Sequence, residues 1–399
     1  MRVLLISHTC QSPTEGQPKA VELDARPGLE LRVVVPHRWK HYGRWRPLEV
    51  LPEARGLIRP LRVVWPWLGP VQNYLHWYPA LGRTIRDFRP DVIDVWEEPW
   101  SLVSAQAARL RRRLAPDAIL IVETEQNLDK ALPPPFEALR RYSLRHADWM
   151  IGRNEEAVAV CRAKGYAGPA SVLPNAVDTH LFQPGDRASA RRALGLDGFV
   201  LGYVGRLVPE KGIDDLIAAL PHLPERASAL IIGGGDDEGR LRQLAEGYGL
   251  GVRVRFAGEL PLAELPQVMN GIDALVLPSR TTARWKEQYG RVLIEAKACG
   301  IPAIGSDSGA IPEVIGDPAQ VFAEGRPEAL AACVRRLMDD PRLHAAERRA
   351  ARRRRVEATV SWSRVAERYH EVYRRARTHH RGDPAAIAPN DNPLLSGVP

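Results

Sequence analysis

The chain has no CxxC pair, no GxGxxG turn and no apolar run near the roughly 20 residues needed to span a bilayer. Each absence removes a class of protein. Four cysteines, Cys10, Cys161, Cys299 and Cys333, stand far apart in contexts that read as buried or helical. Neither a disulfide frame nor a zinc site is expected from them. The nearest approach to a dinucleotide turn, Gly233-Gly234-Gly235-Asp236-Asp237-Glu238-Gly239, has Glu238 where the third glycine belongs, which argues against a dehydrogenase. Those glycines either bring backbone close to a nucleotide or make a plain turn. Residues 3–6 are apolar, but Ser7 and His8 end the run far short of the ~7–15 residues of a signal-peptide core, so the expected compartment is the cytoplasm.

What is present sets the rest of the frame. A chain of 399 residues exceeds one ordinary core, so two domains are expected. A net charge of +8 and a pI near 9.5 call for an acidic partner: a phosphate-bearing ligand, an anionic membrane or nucleic acid. Composition does not choose among them.

Short runs rich in Val, Ile and Leu recur at 3–6, 31–35, 61–65, 92–95, 119–122 and 149–151, with helical stretches between several of them. The pattern restarts at 200–204, 229–232, 252–256, 274–277 and 302–305. Continuous apolar strands alternating with helices imply parallel sheets covered on both faces. The expected fold class is therefore α/β, two tandem Rossmann-like doubly wound domains. A proline-bearing stretch at 173–186 supplies the hinge. The domains are placed at 1–178 and 179–360, followed by an amphipathic helix at 361–378 and a disordered tail at 379–399 that mixes Pro, Gly, Asn and Asp without apolar periodicity. The basic run 348–355 continues a helical pattern from Pro341 and reads as a solvated helix face.

Ligands of open parallel sheets settle at the carboxyl ends of strands, and the unusual polar residues fall there. Gly205 follows the strand 200–204 and a helix begins near Ile213, so Arg206 and Lys211 ride on a strand-exit turn. Arginine grips phosphate with a fork, and lysine serves as a mobile point charge. A surface turn with two solvated cations is the plainer alternative. Further on, Pro278 and Ser279 end a strand and a helix starts near Gly290, where the N–H groups of Tyr289, Gly290 and Arg291 would point at an anion. Glu287 hangs from the loop and suits a sugar ring, while Glu295, inside the helix, suits a ribose. The alternative is a favourable acid near a helix start plus an incidental loop acid.

With these motifs the chain resembles the retaining glycosyltransferases of family 4, which have the GT-B fold of two Rossmann-like domains facing a central cleft. The resemblance rests on GRLVPEKG at 205–212, the pair Glu287 and Glu295, PNAVDTHLF at 174–182 and SDSGAIPEVI at 306–315. It implies that Arg206 and Lys211 hold the diphosphate and act as electrostatic catalysts, that Glu287 positions the donor sugar, that Glu295 meets the ribose and that no metal or other cofactor is needed. It also implies that the helix near Trp362 crosses back to the first domain. The first half departs from the family pattern: the loop after the first strand has only Gly16 instead of paired glycines, and later strand ends carry Trp96-Glu97-Glu98-Pro99-Trp100 and Glu123-Thr124-Glu125-Gln126-Asn127 instead of histidines. We assign Glu98, Glu125, Gln126 and Asn127, with His8, Gly16 and Asn175, to acceptor or donor contacts; His8 is either such a contact or structural.

The expected function is retaining transfer of a sugar from a UDP- or GDP-sugar to a carbohydrate or lipid-linked acceptor in cell-envelope or polysaccharide assembly. Seven of the ten tryptophans lie between Trp39 and Trp100, and residues 37–78 hold seven Lys/Arg against two Glu. That mixture suits peripheral contact with an anionic membrane, sugar stacking or an aromatic core. A nucleotide-sugar epimerase of the same architecture is the enzymatic alternative. A basic nucleic-acid-binding protein is the other, though no motif asks for nucleic acid.

Overall fold

In a computed structural model of the chain, the described residues are 1–380 apart from Tyr42, Gly43, Pro66, Leu68, Gly69, Pro70 and Pro341. They form two compact units: the first comprises Met1–Pro174 and the helix that begins at Trp362, the second Asn175–Ser361.

The first unit contains, in chain order, β1 (Arg2–Ile6), β2 (Glu30–Pro36), an antiparallel hairpin of β3 (Arg38–His41) and β4 (Arg44–Pro47), β5 (Ile58–Leu61), β6 (Val92–Val95), β7 (Ile119–Thr124), β8 (Trp149–Gly152) and β9 (Ala170–Val172). Its seven-stranded sheet runs β5-β2-β1-β6-β7-β8-β9, parallel throughout. Val3, Leu4, Leu5 and Ile6 are wholly buried, as expected for a central strand covered on both faces. Helices are started by local chemistry: the Ser101 side chain accepts from the Ser104 N–H, and Asn154 accepts from the Ala157 N–H. The helix Trp362–His380 packs on the helix Gln17–Asp24 of this same unit.

The second unit contains β10 (Phe199–Val204), β11 (Ala227–Ile232), β12 (Val254–Gly258), β13 (Ala274–Leu277), β14 (Ala303–Ser306) and β15 (Val321–Phe322). They form a parallel sheet in the order β12-β11-β10-β13-β14-β15 around one apolar core. In both sheets the strand order runs outward in two directions from the first strand. The topological switch therefore lies between β1 and β6 in one unit and between β10 and β13 in the other, and the loops leaving those four strands flank the crevices where ligands of such sheets bind.

Three expectations are corrected. The apolar run 61–65 is not the strand; β5 lies earlier, at Ile58–Leu61, because this edge strand needs only one apolar side, and Val64 instead bridges Trp77. The last helix continues through His379 and His380, and the rest of the tail expected to be disordered lies outside the described residues. The basic run sits in the helix Ala346–Val360, but it is not simply a solvated face. Arg349 donates to Asn270 at 2.8 Å, Arg352 to the carbonyls of Gly300 and Leu343, and Arg353 to those of Phe182 and Thr179. These guanidinium groups satisfy loop carbonyls left over by helix and strand ends. No helix among the described residues is long and apolar enough to cross a membrane.

Candidate functional site

At the switch point of the second unit the turn after β10 and the loop after β13 lie side by side. The buried Tyr203 donates its hydroxyl to the carbonyl of Arg206 at 2.8 Å, pinning the turn that carries Gly205 and the exposed Arg206. A short 3-10 turn, Pro209–Lys211, ends at Gly212, whose φ of 62° and near contact with Pro278 exclude a side chain: an added Cβ would lie 2.1 Å from the Pro278 carbonyl oxygen. Gly233 is similarly pressed, its notional Cβ 1.8 Å from the Gly205 carbonyl oxygen. The glycine run 233–235 thus serves loop-on-loop packing, and the Leu207 N–H donates to the Gly234 carbonyl at 2.9 Å.

That packing brings Lys211 Nζ within 2.7 Å of Glu287 Oε2, joining two motifs 76 residues apart. Ser279 donates its hydroxyl to the same oxygen at 2.9 Å, and the ammonium lies 4.5 Å from the centre of the Trp285 ring. The cation and the carboxylate that the motifs assign to different parts of a ligand are therefore already paired, which holds the lysine side chain in one direction. Tyr289 is buried, and Gly290 (φ 79°) leads into the helix Arg291–Ala298 without a side-chain cap, the kind of helix start that receives anions. Burial pushes the Glu295 carboxyl above its ordinary range against the opposing charge of Arg291, and its side-chain oxygens accept no hydrogen bond among the described residues. Asn175, at the start of this unit, is partly buried.

At the switch point of the first unit, His8 follows β1 and Glu97 follows β6. The His8 N–H donates to Glu97 Oε1 at 2.7 Å, and its Nδ1 lies 2.7 Å from Oε2. His76 Nε2 is 3.6 Å from the same carboxylate. Burial opposes ionisation of Glu97, but the two histidines outweigh it and hold its carboxyl well below the usual range; the His8 imidazole is raised in turn, Glu97 outweighing its burial. His8 stacks on Trp39, centroids 4.9 Å apart. Gly16 begins the helix Gln17–Asp24. Glu98 accepts from the Glu125 N–H at 2.8 Å and from the Thr124 hydroxyl at 2.7 Å. Gln126 turns back to the Leu128 carbonyl, and Asn127 donates to Glu156 at 3.2 Å.

Burial outweighs the two donors at Glu98 and pushes its pKa up to about 7. The folded state then holds this proton more tightly than the unfolded chain, so its contribution to stability is complete below the ordinary carboxylate range and is lost as pH rises through about 7. Asp94, also raised to about 7 by burial, acts in the same sense. Urea midpoints are expected to fall between pH 5 and pH 8, and Glu98→Gln is expected to flatten that fall; an equal slope in the variant would refute the assignment.

Sequence reasoning missed a buried ionic cluster in this unit. Lys19 donates to Glu123 at 2.6 Å and lies 3.6 Å from Asp94; Arg153 pairs with the other oxygen of Glu123. From the last helix, Tyr369 donates to Glu123 at 2.7 Å and Tyr373 to Asp94 at 2.6 Å. The Lys19 ammonium lies 3.6 Å from the Tyr369 ring centre. Glu123, grouped by its sequence neighbours with ligand contacts, is instead a wholly buried partner of two cations. Nothing in local spacing signals this, because the partners come from remote segments.

Two family models match: Glycosyltransferase Family 4 over residues 20–181 and Glycosyl transferases group 1 over residues 186–354. Among curated proteins, the chain is 35% identical over 208 residues to a GDP-mannose-dependent monoacylated alpha-(1-6)-phosphatidylinositol monomannoside mannosyltransferase of Corynebacterium glutamicum, covering 49% of this chain and 54% of that one. It is 32% identical over 274 residues to D-inositol 3-phosphate glycosyltransferase 1 of Catenulispora acidiphila, covering 64% of each. The match thus spans between half and two thirds of these relatives. Among solved structures, sucrose-phosphate synthase from Thermosynechococcus elongatus superposes with a TM-score of 0.70 at 24% identity, over 94% of this chain and 98% of that one. Anabaena HepE in complex with UDP gives 0.71 at 19% identity, over 93% and 99%. At these identities the likeness shows the fold, two Rossmann-like units of GT-B type.

Proposed function

We propose that this chain, which belongs to the group 1 glycosyl transferases of family 4, transfers a hexose from a UDP- or GDP-sugar to a polyol or lipid-linked acceptor with retention of anomeric configuration. The observation that carries the reading is the pairing of Lys211 and Ser279 on Glu287 at the switch point of the second unit, on the loop that leads into the helix carrying the partly buried Glu295. Lys211 and Arg206 neutralise the departing diphosphate without a metal ion at that position, helped by the amides of Tyr289, Gly290 and Arg291. Charge placed in advance where it develops is commonly the largest catalytic effect. As phosphate oxygens draw the ammonium, Glu287 is released to accept from sugar hydroxyls. Glu295 takes the paired ribose hydroxyls.

The named relatives act on a phosphatidylinositol mannoside and on inositol 3-phosphate, which favours an acceptor of the inositol-phosphate or glycolipid class. Exposed Trp45, Trp65 and Trp67, with exposed Arg38, Arg55, Arg59 and Arg62, support peripheral contact with an anionic membrane, on its cytoplasmic face, where a lipid-linked acceptor would be met.

A thermal-shift panel of UDP- and GDP-sugars tests the reading. A ligand at 100 times its dissociation constant adds about 2.7 kcal/mol of stability. Glu295→Ala is expected to weaken the preferred nucleotide sugar about tenfold or more, through loss of charge-assisted hydrogen bonds, while leaving inorganic pyrophosphate binding unchanged. Equal loss for both, or none for either, refutes the ribose role.

A further inference from the structure

The cluster at the first unit's switch point has a feature that sugar transfer does not require. His76 Nδ1 lies 3.0 Å from the carbonyl oxygen of Gln72. A carbonyl only accepts, so Nδ1 carries a proton, and Nε2 carries either a second proton or a lone pair. His76 is wholly buried, and Nε2 has no hydrogen-bond partner among the described residues. It faces Glu97 Oε1 across 3.6 Å, while His8 Nδ1 stands 2.7 Å from Glu97 Oε2. A lone pair aimed at a buried carboxylate is unfavourable unless positive charge lies between them.

We propose that His8, His76 and Glu97 form a binding site for a zinc-class divalent ion. Their donor atoms all lie within 4.8 Å of one another. A tetrahedral ion with ligands at about 2.0–2.1 Å holds them about 3.3 Å apart, a value between the distances of His8 Nδ1 and His76 Nε2 from Glu97 Oε1, 2.8 and 3.6 Å. Two imidazoles and one carboxylate suit zinc, cobalt or nickel better than magnesium or calcium, which prefer oxygen alone. The surroundings match a metal shell: the Gln72 carbonyl fixes the His76 tautomer, and the His8 N–H holds Glu97. Trp39 stacks on His8 and meets His76 edge-on at 5.0 Å, limiting both rings. His8 keeps 27% of its side chain exposed, so the fourth position opens on that side to solvent or to an oxygen ligand. No sequence spacing announces the site, since residues 8, 76 and 97 come from three segments.

Metal binding is measured without nucleotide or acceptor, so its outcome is independent of the proposed transfer. The full chain is dialysed against zinc chloride and, separately, titrated with cobalt(II). One zinc per chain and the visible absorption of four-coordinate cobalt are expected, each weakened at least about tenfold by His76→Ala and by Glu97→Gln. His8→Ala, at the exposed edge of the cluster, gives the same loss without opening the buried layer and serves if the other variants do not fold. Failure of the wild-type chain to bind, or zinc retained equally by the folded variants, overturns the site; the charge between His76 and Glu97 is then a proton.

Discussion

Lys211→Met is expected to lower turnover on the nucleotide sugar chosen by the thermal-shift panel about 100- to 1,000-fold, the range seen when one preorganised donor is removed from a developing anion. Lys211 Nζ is held by Glu287 at 2.7 Å and backed by the Trp285 ring, so its direction is set before a ligand arrives. Methionine keeps most of the apolar stem and removes the charge. The loss should appear in kcat and kcat/KM alike, because the interaction grows as the diphosphate departs. Glu287→Gln separates the two roles: it leaves the cation in place and loses the grip on sugar hydroxyls. A Lys211→Met enzyme that remains folded and turns over within threefold of the original would remove the lysine from the mechanism.

The second large effect is on stability. Arg153→Met is expected to cost about 3–5 kcal/mol, because Glu123 would stay wholly buried with Lys19 as its one remaining cation partner. If the first unit, of about 200 residues, unfolds by itself, that is a fall in its melting temperature of roughly 7–12 °C. The double variant Arg153→Met with Glu123→Gln is expected to regain much of the loss, since removing both charges leaves none unpaired. Chemical denaturation of the two single variants and the double variant gives the coupling directly. Additive losses would show that the guanidinium and the carboxylate do not act together.

The contrast between these residues explains what was legible. Residues 274–277 stand out as a strand because a parallel strand buried on both faces is apolar along its length, and 92–95 does so through Val92, Ile93 and Val95 in spite of Asp94; β13 and β6 have those bounds. β5 is misplaced and β9 missed because an edge strand and a three-residue strand carry no such run. The hairpin β3–β4 alternates Arg and Trp, so no continuous apolar signal appears. That the turn after β10 meets the loop after β13 was legible from their shared position at strand exits. Lys19, Asp94, Arg153, Tyr369 and Tyr373 were not, because a charge reads as surface until its partner is known. Glu123 meets Tyr369 across 246 positions and Asp94 meets Tyr373 across 279.

The return of the last helix to the first unit bears on how the chain matures during synthesis. Asn175–Ser361 is one uninterrupted stretch and can complete its core while still tethered to the ribosome, whereas the unit begun earlier cannot close until Tyr369 and Tyr373 emerge. In that interval Lys19, Asp94, Glu123 and Arg153 remain hydrated, and the surface that will receive the helix Trp362–His380 stays uncovered. The half of the protein translated first is thus the half whose core is closed last.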